Sequence, residues 1–373
     1  MNIRKIDPAN LRDARHYVQF PDELYCQCPQ WVPMPLGEKL AQLDRSRAFF
    51  LHSDADFFVA EVGDRLVGRI CVMENRRYNA YHQARHAFFY LFDCVEDLVV
   101  ARGLFEVAIE WARVRGLNRL VGPKGFVPFE GMGMLYRGFE HRPALGVPYN
   151  YEYYNSFMEE LGFKKEIDFT SFYFDISNLE VPERIVRIAR RVRERRNLRV
   201  KTFSSHYQMR RWIPALLETY NKVFVENWEY VPIIPEEAEE IARRIISVMR
   251  PGHIKLVLNR ENEVVGFLLT LLDISAALQQ TRGKRFPFGW IKMFIELRST
   301  RWINVNGMGI LEEYCGRGGN AILYCELEQT IRQGSFEHAD FVQIADTARY
   351  MLADMTNLGA KPYKIHRVYQ KAI

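Results

Sequence analysis

No run in this chain reaches 18 consecutive apolar residues, so no segment reads as a helix long enough to span a bilayer. Cysteine is sparse. Cys26, Cys28, Cys71, Cys94, Cys315 and Cys325 are scattered without framework spacing, which excludes a disulfide scaffold and points to reduced thiols. Cys26-x-Cys28 and the pair His82 and His86 are the only hints of metal ligands. Neither has a matching second pair at a usual zinc spacing, so no metal is expected. The N-terminus, M-N-I-R-K-I-D-P, lacks an apolar signal segment, and the expected location is the cytoplasm. Charge of one sign is also scarce, since 51 Lys and Arg against 46 Asp and Glu leave only +5. That is too little on this length to argue for nucleic acid as a partner, though it leaves an anionic small ligand or a membrane surface open.

What is present is an ordinary globular composition, 48% hydrophobic and 26% charged over 373 residues, which suggests two domains and a large core. Aromatics, at 13%, are plentiful enough to line something apolar. Residues 1–50 read as an irregular arm broken by Pro21, Pro29, Pro33 and Pro35, with a short helical pattern at Glu38–Arg45. From Phe57 two alternating runs around Gly63-Asp64 read as a hairpin, followed by a strand at Phe88–Phe92, a helix at Val99–Val114 and a strand at Leu120–Val121. A long loop, G-P-K-G-F-V-P-F-E-G-M-G-M-L-Y-R-G-F, leads into P-Y-N-Y-E-Y-Y-N; long loops with clustered aromatic and polar residues tend to be functional. A short helix ends at Gly162, a strand follows at Phe169–Ile176, and residues 184–199 form an arginine-rich helical pattern readable as a solvated face or as a contact for anionic headgroups. Two more helices are expected at Met209–Asn227 and Glu236–Met249.

At His253 the pattern of the first half begins again. Val265-Gly266 corresponds to Val67-Gly68, and M-T-N-L-G-A-K-P near the end corresponds to M-E-E-L-G-F-K-K, with Gly359 and Gly162 in the same place. Two anchors at nearly one offset indicate an internal duplication. The second copy carries the stretch N-V-N-G-M-G-I-L-E-E-Y-C-G-R-G-G-N-A-I-L-Y-C-E-L, a strand, a glycine turn and a helix in that order. Glycines let the backbone approach a ligand, and a helix N-terminus adds partial positive charge, so the stretch suits a pyrophosphate; an ordinary strand-to-helix turn is the alternative.

A hairpin, a strand entering a glycine turn, a helix, a strand and a helix ending in L-G before a last strand resembles the GNAT acyltransferase fold, and the resemblance covers both halves. It implies an α/β (α+β) chain of two tandem GNAT-like domains, each a mixed central sheet flanked by helices. The divisions expected are an arm at 1–56, a degenerate GNAT-like domain at 57–180, a helical linker at 181–252 and an acyl-CoA-binding domain at 253–373. In that family the pyrophosphate of acyl-CoA rests on a Q/R-x-x-G-x-G/A turn, here Cys315-Gly316-Arg317-Gly318-Gly319-Asn320, with Cys315 and Asn320 departing from the pattern. The resemblance therefore implies acyl-CoA as substrate, held by Gly309, Ile310, Leu311, Gly316, Arg317, Gly318, Gly319, Asn320 and Ala321. The first half has F-D-C-V-E-D-L-V-V-A at this place, two acids and no glycine, and is not expected to bind CoA. Tandem copies of this kind are similar to N-myristoyltransferases and Fem peptidyltransferases, and V-G-R-I, P-Y-N-Y-E-Y-Y, F-P-F-G-W and the G-R-G turn look like a bacterial group related to bacterial ceramide synthases.

Acyl transfer to an amine needs a proton acceptor, an acid for the leaving thiolate and a donor for the thioester carbonyl. The strand Gly307–Leu311 is the expected carbonyl donor through its backbone N–H groups. Tyr350 is the candidate acid, with Asp346 close before it at the end of a strand. Glu130 is the candidate base, because an acid in that loop has little structural reason, and Tyr149 and Asn150 are candidates to orient the acceptor. All are equally readable as loop surface. The expected activity is N-acyl transfer from acyl-CoA, with a long chain and a sphingoid base as the finer expectation; the alternatives are a non-catalytic CoA- or lipid-binding protein and a small-amine N-acetyltransferase. Basic residues interleaved with Trp290, Phe294 and Ile295 in the insertion before the glycine-turn strand suggest peripheral membrane contact, or else a helix covering the core.

Overall fold

A computed structural model describes residues 1–176, 181–246, 248–284, 289–315, 318–334 and 336–373. It divides into two compact units. The first holds Met1–Phe169, Ser275–Phe294 and Lys364–Ile373, and the second holds Thr170–Ile274 and Ile295–Tyr363. The strands, in chain order, are β1 (Asn2–Lys5), β2 (Asp54–Val62), β3 (Arg65–Glu74), β4 (His86–Cys94), β5 (Arg119–Gly122), β6 (Met134–Arg137), β7 (Lys164–Asp175), β8 (Arg199–Lys201), β9 (Ile254–Leu258), β10 (Val264–Leu272), β11 (Trp302–Ile310), β12 (His338–Ala345) and β13 (Lys361–Ala372). β7 passes from the first unit to the second after Phe169, and β13 returns to the first at Lys364.

In the first unit the order is β1-β2-β3-β4-β5-β13-β7, with β6 also against β13; in the second it is β8-β9-β10-β11-β12-β7. Both sheets are mixed: β4/β5 and β11/β12 are parallel, while the hairpins β2/β3 and β9/β10 and the pairs β3/β4 and β10/β11 are antiparallel. The C-terminal strand completes the first unit, running Tyr369↔Gly122 to Ala372↔Arg119 against β5 and holding β7 through a two-pronged Arg367–Asp168 pair at 2.8 and 3.0 Å. The end of β7 serves the second unit, where Ser171 Oγ accepts from the Gln343 N–H of β12.

The local sequence accounts for the elements flanking the site. Gly63, at φ +58°, turns β2 into β3. The helix Leu98–Arg113 buries Ala101, Leu104, Phe105 and Ala108 on one face in the first core. The helix Gly319–Gln333 does the same with Ile322, Leu323, Leu327 and Ile331 in the second.

Two expectations change. Residues 1–50 are not irregular: β1 pairs with β2, and Leu11–Leu24 is a helix capped by Asn10, with Pro21 tolerated in its last turn. β8 pairs with β9 at the same place in the second copy, so each repeat begins with a short edge strand, too brief to show a period in sequence. The helix expected at Met209–Asn227 is two, His206–Arg210 and Ile213–Val223, the second opening with Pro214, which cannot continue a preceding helix.

Candidate functional site

In the second unit the parallel strands β11 and β12 pair from Trp302↔His338 to Val305↔Phe341 and no further, although β11 continues to Ile310 and β12 to Ala345. The sheet forks there. On its other edge β11 stays paired with β10, with a bulge at Asn306 that leaves Gly307 opposite Leu269 and Val305 opposite Thr270. The Leu311 N–H donates to Val265 O at 2.8 Å on the β10 side. Strand alternation therefore sends the N–H groups of Met308 and Ile310 to the opposite side, into the fork. The Ile310 carbonyl has the Cys315 thiol at 3.5 Å, while its amide is left to the fork.

The first unit has the same fork, and it is closed by its own side chains. β4 pairs with β5 only from His86↔Arg119 to Phe88↔Val121, and Val95 N–H donates to Val67 O as Leu311 does to Val265. Here the amide that faces the fork, Cys94 N–H, donates to the Tyr154 hydroxyl at 2.9 Å, and the Cys94 carbonyl accepts from Tyr153 at 2.8 Å. Tyr25 donates to Asp93 at 2.9 Å, and Arg69 grips the same carboxylate at 2.8 Å and 2.7 Å. By register Asp93, opposite Arg69, stands where the second unit has Gly309, opposite Phe267. By the repeat offset Tyr154 corresponds to Met351, which has no hydroxyl to offer.

The helix that follows each fork differs in the same sense. Asp97 caps the helix Leu98–Arg113, its carboxylate accepting from Val99 N–H at 2.8 Å, so a fixed negative charge already sits where an anion would bind. The helix Gly319–Gln333 has Gly318 as its cap, at φ +87°, and no side-chain cap. Its glycines are also required by packing: a methyl on Gly318 would stand 2.3 Å from Ile188 Cγ2, and one on Gly319 2.7 Å from Ile310 Cδ1. Ile188 belongs to the arginine-rich helix Glu183–Arg196, whose Arg193 pairs with buried Glu326 at 2.5 Å and whose Arg196 lies 5.2 Å over the Tyr314 ring. That helix thus brings Arg196 beside Tyr314 and the glycine turn.

Of the residues singled out from sequence, Gly309, Ile310 and Leu311 and the turn at Gly318–Ala321 are brought together; Gly316 and Arg317 lie outside the described residues. Glu130 and Tyr149 belong to the first unit, Asp346 and Tyr350 to the second. The reason given for Glu130 does not hold. Its carboxylate is buried, accepting from Arg47 at 2.6 Å and from Phe126 N–H at 2.7 Å, so the loop has a structural use for an acid. Tyr149 donates to Phe139 O at 2.9 Å, with burial pushing its pKa up, and Asn150 is spent on the backbone of Leu135 and Tyr151. Tyr350 opens the helix Arg349–Asn357 with its side chain in solvent, and Asp346 is exposed after β12.

Sequence reasoning missed Asn304 and Asn306. Asn304 is fully buried with neither Oδ1 nor Nδ2 partnered among the described residues, and Asn306 has a buried, unpartnered Oδ1. The alternation I-N-V-N in β11 was the available signal, since it puts polar residues on one face of a strand whose other face is core.

No family model matches the chain. In overall structure it is similar to a tandem GNAT protein from the clavulanic acid biosynthesis pathway, with TM-score 0.59 and 11% identity over 100% of this chain and 98% of the other. A GCN5-related N-acetyltransferase from Sphaerobacter thermophilus gives TM-score 0.52 at 14% identity over 100% and 95%. The protein has the tandem GNAT fold. In sequence it is 25% identical to Protein YghO of Escherichia coli over 98% of this chain and 94% of that one. It is also 25% identical to a bacterial ceramide synthase of Caulobacter vibrioides, over 98% and 96%.

Proposed function

We propose that the protein is an acyl-CoA-dependent N-acyltransferase that holds its donor along β11 of the second unit and acylates a lipid-borne amine. The observation that carries the reading is the pair of amides at Met308 and Ile310, turned into a fork that tyrosine hydroxyls fill in the first unit and that no side chain among the described residues fills in the second. In this reading the Met308 N–H takes the thioester carbonyl oxygen, the Ile310 N–H takes an amide of the pantetheine arm, and the uncapped turn at Gly318–Ala321 takes the pyrophosphate. The neutral amine attacks the thioester carbon, the C–N bond forms, and charge collects on the oxygen facing Met308. The C–S bond then breaks, the thiolate takes a proton from Tyr350, the proposed acid, and the surplus proton on the new amide nitrogen passes through solvent back to Tyr350, so that neutral amide and free CoA thiol leave. No covalent enzyme intermediate is needed.

A lipid acceptor is supported by the 25% identical ceramide synthase and by the helix Gly289–Ser299. Trp290 is 55% exposed and Ile295 56%, with Ile291 and Phe294 also exposed, next to Lys292 and Arg298. Apolar rings and cations on one exposed helix suit an anionic bilayer surface, and no described helix is long and apolar enough to cross one. The reading is of a cytoplasmic protein that docks on the inner membrane face. To test the activity, the protein is incubated with palmitoyl-CoA and a panel of primary amines, and free thiol and amide product are followed together. Equimolar CoA and amide are expected; thiol release no greater with amine than without would overturn the assignment.

A further inference from the structure

Asn304 of β11 and Asp340 of β12 are register partners in the last paired stretch before the fork. Their neighbours Ile303, Val305, Ala339 and Phe341 all enter the core against the helix Gly319–Gln333, so Asn304 and Asp340 share the opposite face of the sheet. Both are buried, Asn304 at 0% exposure and Asp340 at 1%. Asp340 accepts from the Tyr363 hydroxyl of β13, and half-buried rings stand around this end of the sheet. Tyr173 lies 5.9 Å from Tyr363 and 5.8 Å from Trp302, and its hydroxyl is 2.9 Å from His338 Nδ1.

The amide of Asn304 is the anomaly. Burying an amide with no partner costs about 1–3 kcal/mol, and a leucine of similar shape would serve a purely structural sheet better. Asn306 repeats the pattern at the bulge. At about 3.3 Å per residue, Asn306 is about 7 Å and Asn304 about 13 Å along the strand from Met308. A chain of polar groups therefore leads from the floor of the fork to the proposed oxyanion donor.

We propose that Asn304, Asn306 and Asp340 form the subsite for the polar head of the acceptor, and that the head they fit is a primary amine with a neighbouring hydroxyl. This rests on the acyltransferase reading. A carboxylate pairs with the ammonium form on arrival, and an amide with a free donor and a free acceptor is matched by a hydroxyl, which offers both. Entry requires the half-buried rings of Tyr173, Trp302 and Tyr363 to rotate. A site built this way discriminates strongly against an analogue lacking the hydroxyl, because the amide is then left unpaired.

The test compares a long-chain alkylamine with its β-hydroxy analogue of equal chain length, in wild type and in Asn304→Leu, with Asp340→Asn as a second variant. Wild type should favour the hydroxyamine at least tenfold in KM. Asn304→Leu should lose most of that preference while raising the melting temperature and leaving the KM for acyl-CoA within twofold. Asp340→Asn should raise the KM of both amines. Unchanged hydroxyl preference in Asn304→Leu would overturn the subsite, and the amide would then be satisfied by structural water only. Calorimetric binding of the same two amines separates the two readings. Tighter hydroxyamine binding that Asn304→Leu abolishes, without CoA release, keeps the subsite and removes the acyltransferase; CoA release with an indifferent Asn304→Leu does the reverse.

Discussion

Replacing Tyr154 by phenylalanine removes one oxygen from the plug in the first unit. That hydroxyl accepts from Cys94 N–H at 2.9 Å and lies 3.1 Å from the Tyr25 oxygen, whose own proton goes to Asp93, and burial keeps it protonated. After the change Cys94 O still has Tyr153, and Tyr25 still has Asp93. The net loss is one buried N–H left without a partner, worth about 1–3 kcal/mol. For a unit of this size that is a fall in melting temperature of roughly 2–12 °C, read by scanning calorimetry. Affinity of the second unit for acyl-CoA should not change, because its own amides are untouched. The converse exchange, Met351→Tyr, offers a hydroxyl to the open Ile310 amide and should weaken CoA binding at least tenfold without lowering the melting temperature. An unaltered melt for Tyr154→Phe, or full CoA affinity for Met351→Tyr, would refute the idea that tyrosine hydroxyls distinguish the two forks.

Tyr350→Phe should lower turnover by about 10²-fold with acyl-CoA affinity and stability intact, the usual scale for loss of a general acid; full turnover returns the residue to the surface. Palmitoyl-CoA should outcompete acetyl-CoA, since each buried CH₂ is worth about 0.8 kcal/mol. The protein should also float with anionic but not neutral liposomes, and Trp290→Glu with Ile295→Glu should abolish flotation; acetyl-CoA preference without flotation would leave a small-amine acetyltransferase. His366 is fully buried beside Pro148 O, and burial pushes its pKa down to about 3. Below its ordinary value near 6.5 the unfolded chain takes up a proton that the folded chain refuses, so stability should fall as pH drops from about 6.5 towards 3, at about 1.4 kcal/mol per unit. Urea melts of His366→Gln at pH 7 and pH 5 should show a smaller loss than wild type; an equal loss would refute the assignment.

Much of the fold was legible because the duplication repeats its anchors: the two L-G helix ends and the two V-G hairpins recur at nearly one offset, and the strand–turn–helix at Gly318 has a local signature. The strand exchange was not legible. Nothing in K-P-Y-K-I-H-R-V-Y-Q-K-A states that its partner is β5, since strand partnership is decided by closure of the whole sheet. The filled fork was half legible: F-D-C-V-E-D predicted poor anion binding, but the bond from Cys94 N–H to the Tyr154 hydroxyl joins residues 60 apart. Aligning the copies would have set Tyr154 beside Met351 and exposed the difference. Glu130 misled because its partner, Arg47, is 83 residues away. Asn304 reads in sequence as an ordinary polar strand residue; only the folded sheet shows that its amide is buried.

The second unit, and only the second, should receive acyl-CoA through backbone amides. Hydrogen exchange followed by mass spectrometry, with and without a non-hydrolysable palmitoyl-CoA analogue, reads those amides directly. Protection should appear in peptides covering residues 306–321 and be absent from those covering 91–99. Protection confined to the first unit, or no change at 306–321 under saturating analogue, would contradict it.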